Sequence, residues 1–222
     1  MLELDKLYNI DCMQGMKEFP NKYFDLAIVD PPYGIGQDGQ KQRICTNPKH
    51  SRKLHKRKAW DRGIPQKEYF EELERVSKNQ IIWGGNYFVT HLHKGTKGWI
   101  VWDKGQHGLT MSDCELAYTS FNSPTRVVVF NRAQLLKDGG TIHPTQKPVA
   151  LYAWLLERYA KHGDLILDTH VGSASSLIAC YRCGFHFVGF EIDPEYYKVA
   201  NERLNSEMAQ LRFDVIGGST EK

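Results

Sequence analysis

Short apolar runs alternate along the chain with longer stretches of helical spacing, the pattern of a parallel sheet covered by helices. Runs at Leu7–Ile10, Leu26–Val29, Gln80–Trp83, Trp99–Trp102, Leu116–Ser120, Leu165–Leu167 and Phe187–Phe190 read as seven strands. Helices are predicted at about 12–18, 66–76, 148–160, 173–183 and 194–210. In the last of these, Tyr197, Ala200, Leu204, Met208 and Leu211 recur at helical spacing and form a core-facing stripe. Pro148 suits a first helical turn, and Gly163 after Lys161 and His162 suits a helix stop. The predicted class is α/β, a seven-stranded, mostly parallel sheet with helices on both faces, in one domain spanning residues 1–222.

Residues 34–66 break this pattern. They hold nine Lys and Arg residues against Asp38 and Asp61, a local charge of +7 in a chain whose total is +3, so the rest of the molecule carries −4. A basic segment on a mildly acidic body points to a polyanion such as nucleic acid, drawn by local field and counterion release. Lys41, Arg43, Arg52, Lys53, Lys56, Arg57 and Lys58 are its candidate phosphate contacts. Without a hydrophobic period, the segment is expected to order on binding its partner. The stretch Asn122–Gly140 is a second candidate insertion for reading nucleic acid.

With 41% hydrophobic residues, 222 residues can bury a core, which excludes disorder as the main state. Nowhere do 18 apolar residues follow one another, and MLELDKLYNI holds no apolar signal core. The expectation is a cytoplasmic protein without membrane contact. Five cysteines, an odd number, make no disulfide framework and fit a reducing compartment. Cys180 and Cys183 fall inside a predicted helix without a second ligand pair, so they read as core thiols, and no metal site is predicted. His91 and His93 read as surface loop residues, and Trp99 and Trp102 as sheet packing.

Two constellations carry chemistry. Asp30-Pro31-Pro32-Tyr33 follows the run Leu26–Val29 directly. Two prolines lack N–H groups and have a fixed φ, so the strand ends in a stiff turn with free carbonyl acceptors. Beside an acid and an aromatic ring, those acceptors suit a planar base bearing an amino group. The second constellation is the loop Asp168-Thr169-His170-Val171-Gly172-Ser173-Ala174-Ser175-Ser176, then an apolar helix, then Phe187–Phe190 and Glu191. Strand, small-residue loop, helix and a second strand ending in an acid form a unit that binds a nucleoside cofactor. Glu191 stands 19 residues beyond Gly172, where it can accept both ribose hydroxyls. A dehydrogenase is disfavoured, since no complete G-x-G-x-x-G occurs there.

Asp-Pro-Pro-Tyr at 30–33, His-Pro-Thr-Gln-Lys-Pro at 143–148 and the loop 168–176, in that order, resemble the S-adenosylmethionine-dependent DNA amino methyltransferases. The catalytic motif precedes the cofactor motif, as in the circularly permuted beta group with its bacterial and phage adenine methyltransferases, many of them in restriction-modification systems. The resemblance implies a Rossmann-like methyltransferase fold, S-adenosylmethionine as methyl donor with S-adenosylhomocysteine as product, and DNA as partner. It also implies a homodimer. Asp30, Pro31, Pro32 and Tyr33 become the catalytic turn, with Asp30 and the Pro31 carbonyl accepting the amino hydrogens of a flipped adenine and Tyr33 stacking on it. Asp30, His143, Thr145, Lys147, Asp168, Thr169, His170, Gly172, Ser173 and Ser175 then surround the methionine part of the cofactor, Glu191 and Ile192 the ribose, and Asp11 the cofactor's adenine. The permutation places Leu7–Ile10 beside Phe187–Phe190, and Trp83-Gly84-Gly85-Asn86 along the base pocket. Asp at position 30 points to adenine N6. Cytosine N4, adenine in RNA, a protein glutamine amide and DNA binding without catalysis are the alternatives. The chain departs from the family pattern at Ala174, where relatives carry glycine. A positive φ there would cost about 1 kcal/mol.

Overall fold

The computed structural model describes residues 1–39, 54–92, 95–108, 112–131, 135 and 140–217, with side chains as far as residue 210. Eight strands form one sheet: β1 (Lys6–Tyr8), β2 (Phe24–Val29), β3 (Ser77–Trp83), β4 (Ile100–Asp103), β5 (Cys114–Thr119), β6 (Arg126–Val129), β7 (Leu165–Asp168) and β8 (His186–Phe190). The helices are α1 (Cys12–Lys17), α2 (Lys67–Val76), α3 (Val149–Tyr159), α4 (Ser175–Arg182) and α5 (Pro194–Gly217). In space the strands run β1-β8-β7-β2-β3-β5-β4-β6. The first five of that order are mutually parallel, β5 is antiparallel to β3 and β4, and β6 is parallel to β4.

The expected seven strands become eight. The added one, β6, has Val128 as its only buried residue, while Val127 and Val129 are 66% and 64% exposed. Val127-Val128-Val129-Phe130 is a β-branched and aromatic run of strand type, so the expectation of an insertion over Asn122–Gly140 is corrected at Arg126–Val129, which pair with β4 as an edge strand. Most element ends move by no more than three residues, while the last helix runs seven residues beyond its expected end, to Gly217. Strand β3 starts at Ser77 because α2 runs straight into it: Ser77 is already extended, and its hydroxyl caps the helix by donating to the Leu73 carbonyl at 2.5 Å. Helix α3 begins one residue after Pro148, whose φ of −64° and ψ of 143° make it the N-cap.

Alternation along β2 decides the two layers. Leu26 and Ile28 join a core with Leu151 and Leu155 of α3, Leu177 of α4 and Leu204 of α5. Ala27 and Val29 face Met16 of α1 and Tyr69, Phe70 and Leu73 of α2. The larger aliphatic and aromatic side chains among these contribute about 1.5–3 kcal/mol each when fully buried, so the helices are held by their faces more than by propensity. Trp102 packs in the core, with its indole N–H donating to the Phe130 carbonyl at 2.8 Å. Cys180 is buried and Cys183 exposed. Of the predicted α5 stripe, Ala200 and Leu204 are buried, and Leu211 lies beyond the described side chains. Among the described residues no helix is long and apolar enough to cross a membrane.

The two ends of the chain meet as the permuted order requires. β1 pairs in parallel with β8, Leu7 opposite Gly189, and Asn9 donates to the Glu191 carbonyl at 2.7 Å. From β7 the chain crosses by α4 to β8 on one side, and from β2 by α2 to β3 on the other. The crossovers diverge between β7 and β2. In an open α/β sheet that is where a crevice forms beyond the carboxyl ends of the strands.

Candidate active site

The turn after β2 enters this crevice. Asp30 is held on both carboxylate oxygens: the Tyr33 hydroxyl donates to Oδ1 at 2.5 Å, and the Lys147 ammonium to Oδ2 at 2.5 Å. Lys147 stands just before α3 with its side chain 2% exposed, and it also pairs with Glu115 of β5 at 3.1 Å. Burial pushes the Asp30 carboxyl above its ordinary value, Lys147 pulls against that, and Glu115 adds to it. Burial alone would lower Lys147, but Asp30 and Glu115 outweigh it and hold the ammonium firmly protonated. The Tyr33 ring lies stacked on Tyr87 with centroids 5.1 Å apart and planes 15° from parallel.

Gly84 closes the other side. It sits at φ +71°, and a Cβ there would run into the Tyr33 ring. Gly84→Ala combines left-handed strain with overpacking, an expected loss of about 2–4 kcal/mol. Denaturant unfolding checks it, and a midpoint equal to wild type would mean that the turn yields freely.

Beside Asp30 and Pro32 opens a cavity of ≈ 210 Å³. Asp11, His143, Thr145, Lys147, Thr169, His170, Gly172, Ser173, Glu191 and Ile192 all line it, so the structure brings together most of the residues singled out in the sequence. Pro31, Tyr33, Asp168 and Ser175 are off its wall. Asp168 lies behind the β7–α4 loop, accepting from the His170 N–H at 2.9 Å and from the Ser176 hydroxyl, and burial pushes its carboxyl up to about 7. Ser175 bonds to the Ser173 hydroxyl at 3.0 Å, while Arg203 of α5 donates to the Ser173 carbonyl at 2.7 Å. Ala174 takes φ 61°, ψ 15°, so the loop carries the strain that its missing glycine implies.

Glu191 binds that loop to β8. Its Oε2 accepts from the Gly172 N–H at 2.8 Å and its Oε1 from the Asp193 N–H at 2.9 Å. Burial raises its pKa. Asp11 caps α1, accepting from the N–H groups of Met13 at 2.8 Å and Gln14 at 3.3 Å. Both histidines of the wall are neutral at ordinary pH, burial bringing His143 down to about 3 and His170 down to about 4.

Wall residues that the sequence did not single out include Cys12, Tyr152, Trp60 and Tyr196, and the last two are aromatic neighbours of His143. Trp60 stacks on His143 at 5.2 Å and Tyr196 meets it edge-on at 4.4 Å. Tyr196 had a signal, since it lies in the first turn of a helix capped by Asp193 next to Glu191. Trp60 had none, because its loop has no period to orient it. The flanks of the basic segment are packed instead of waiting for a partner. Buried Asp61 accepts from the N–H groups of Gly34 and Gln37, both at 2.7 Å, which ties the flanks together. Lys58 pairs with Asp193 and Glu195, each at 2.7 Å, with its ammonium 4.3 Å from the Tyr196 ring centre. The carboxylates at the start of α5 therefore take up its charge. Arg57 pairs with Asp38 at 3.0 Å but is 77% exposed, and Lys56 is exposed. Lys41, Arg43, Arg52 and Lys53, as well as His93, lie outside the described residues.

The family model described as DNA methylase, of N6/N4 type, matches residues 101–202, a stretch that includes the segment 143–148 and the β7–α4 loop. The type II methyltransferase M.HpaI of Haemophilus parainfluenzae is 26% identical over 241 aligned residues, covering 89% of this chain and 73% of that one. Among solved structures, the M1.HpyAVI–SAM complex superposes with a TM-score of 0.62 at 20% identity, covering 89% of this chain and 98% of that chain. The cytosine-N4-specific PvuII DNA methyltransferase superposes with a TM-score of 0.58 at 12% identity, covering 94% and 91%. At those identities the two structures speak for the fold, which is the Rossmann-like methyltransferase fold. The permuted strand order, the turn at the end of β2 and the loop held by Glu191 are all in place, and over residues 101–202 the chain is similar to the N6/N4-type DNA methylases.

Proposed function

We propose that the chain transfers a methyl group from S-adenosylmethionine to the exocyclic N6 amino group of an adenine flipped out of DNA. One observation carries the reading: Asp30 and Pro32 line the same cavity as Glu191 and the Thr169–Ser173 loop, so an amino-accepting turn faces a nucleoside-binding one. The donor set fits the cofactor. Each oxygen of Glu191 takes one backbone N–H, and a carboxylate oxygen has room for a second donor such as a ribose hydroxyl. Ile10, Val171 and Phe190 supply apolar wall for a flat ring, and Thr145, Thr169 and Ser173 supply polar groups for an amino-acid end. S-adenosylmethionine supplies, when bound, an electrophilic methyl group on a sulfonium.

The residues of the turn act on the base. Asp30 and the Pro31 carbonyl accept the amino hydrogens and localise the nitrogen lone pair, and the fixed φ values of Pro31 and Pro32 aim it. Tyr33 offers its ring to the extruded base, and Tyr87 stacks against that ring with centroids 5.1 Å apart. Contacts there offset the few kcal/mol that extrusion costs. Asp168 and Ser175 act from behind, shaping the loop that lines the cavity. The whole chain works as one methyltransferase domain in the cytoplasm, with the basic segment, Lys56 and Arg57 included, against DNA phosphates. Self-association into a homodimer belongs to the same reading.

Incubation with labelled S-adenosylmethionine and duplex DNA, followed by nucleoside analysis, tests it. The expected product is N6-methyladenine in DNA. Label in cytosine, in RNA or in a glutamine side chain, or binding of DNA without any product, would overturn the adenine reading. Light scattering of the purified protein decides the dimer.

A further inference from the structure

Behind Asp30 a line of charges alternates in sign through the protein interior. Asp30 meets Lys147 at 2.5 Å, Lys147 meets Glu115 at 3.1 Å, and Glu115 meets Lys104 at 2.9 Å. The Lys147 side chain is 2% exposed, that of Lys104 11%, Asp30 15% and Glu115 25%, so the line runs largely inside the protein and reaches solvent only in part at Glu115. Aromatic rings wall them in: the Lys147 ammonium lies 5.2 Å from the Trp83 ring and 5.7 Å from the Tyr33 ring, and that of Lys104 lies 5.8 Å from the Trp102 ring. Interior charges cost several kcal/mol each to desolvate, and a fold that needed only stability could hold apolar side chains of similar volume here. Glu115 opposes Trp102 across the β4–β5 ladder, on the strand face that also carries buried Ala117. Neither the cofactor wall nor the turn accounts for an acid at that place.

We propose that Glu115, backed by Lys104, is a positioning residue: it shares the Lys147 ammonium with Asp30 and thereby sets the place and the charge of the Asp30 carboxylate in the methyl-transfer site. This rests on the function proposed above. Lys147, which the family resemblance implies as a cofactor residue and which lines the cavity, also links the two carboxylates. Glu115 weakens the hold of Lys147 on Asp30 in two ways, by dividing the ammonium and by repelling the Asp30 charge. Lys147 and Lys104 keep Glu115 itself ionised, outweighing the upward push of burial. The groups facing Asp30 are Lys147 and Tyr33 directly, and Glu115, Asp168, Tyr69 and Tyr152 through their fields.

The two neighbours of Lys147 then give opposite signs. Glu115→Gln removes the repulsion, and the acid limb of the kcat–pH profile is expected to move down by about one pH unit. Lys147→Met removes the counter-ion, and the limb is expected to move up with a loss of activity at neutral pH. Glu115→Asp, which keeps the charge, restores the wild-type limb, whereas a merely structural role would lower activity at every pH alike. The double variant Lys104→Met with Glu115→Gln keeps the interior neutral and shifts in the same direction as Glu115→Gln, which covers the case in which the single variant does not fold. Side-chain carboxyl NMR of the unsubstituted protein without cofactor reads the coupling directly: Asp30 and Glu115 are expected to titrate as a linked pair, with Asp30 above the ordinary aspartate range. Independent titration of the two carboxyls, or an unmoved or upward-moving limb in folded Glu115→Gln, overturns the proposal. Absence of methyl transfer in wild type with linked titration intact would instead overturn the function and leave the coupling standing.

Discussion

Asp30→Ala is expected to lower the rate of methyl transfer by about 10²–10⁴-fold, the range for losing a group that handles a proton or a developing charge in the transition state. The amino group loses its anionic acceptor, and its nitrogen is no longer aimed. The structure adds a cost that the motif alone conceals. Lys147 would keep only Glu115 as its counter-ion, and breaking a buried pair from one side costs about 3–5 kcal/mol, so the alanine variant will also be less stable. Asp30→Asn keeps the shape and one carbonyl acceptor, and it separates the two effects. Single-turnover transfer with saturating cofactor is the measurement, alongside calorimetric binding of S-adenosylmethionine. Wild-type turnover in a folded Asp30 variant would remove Asp30 from the catalytic turn.

The same residue sets a pH dependence. Asp30 accepts hydrogens when ionised, and burial raises its pKa, so activity falls on acidification at a pH above the ordinary aspartate range. For stability the sign is reversed. The folded chain holds that proton more tightly than the unfolded chain, so the contribution is present below the unfolded value near 3.8 and is lost as pH rises through the folded one.

Glu191→Ala is expected to weaken S-adenosylmethionine binding by about 1.5–3 kcal/mol, roughly 10- to 100-fold in Kd, the typical worth of a charged acceptor. Glu191 also holds the N–H groups of Gly172 and Asp193, so its loss frees the loop that carries the cofactor wall. Glu191→Gln keeps one acceptor oxygen and should fall between the two. Calorimetry at fixed pH reads the change. An unaltered dissociation constant in the alanine variant would place the ribose acid elsewhere.

The sequence alone determined the layers and the chemistry of the turn and loop. Alternation along Leu26–Val29 dictates two buried faces, and paired prolines after an acid dictate a stiff acceptor turn, because these follow from period and backbone geometry within a few residues. The adjacency of β1 and β8 was also legible, but through the order of motifs, since nothing local in Leu7 says which strand it will meet. Tertiary structure alone decided the rest. The eighth strand had a local signal in Val127–Phe130, but only the edge offered by β4 shows where it pairs. Lys58 reads as one cation among nine, and only the approach of α5 shows it matched by Asp193 and Glu195. Glu115 reads as a charge in a strand until the fold brings Lys147 to it from 32 positions farther along the chain. Periodicity records which side of an element meets the core, whereas ion pairs and site walls depend on which elements meet each other. That is a property of long-range packing.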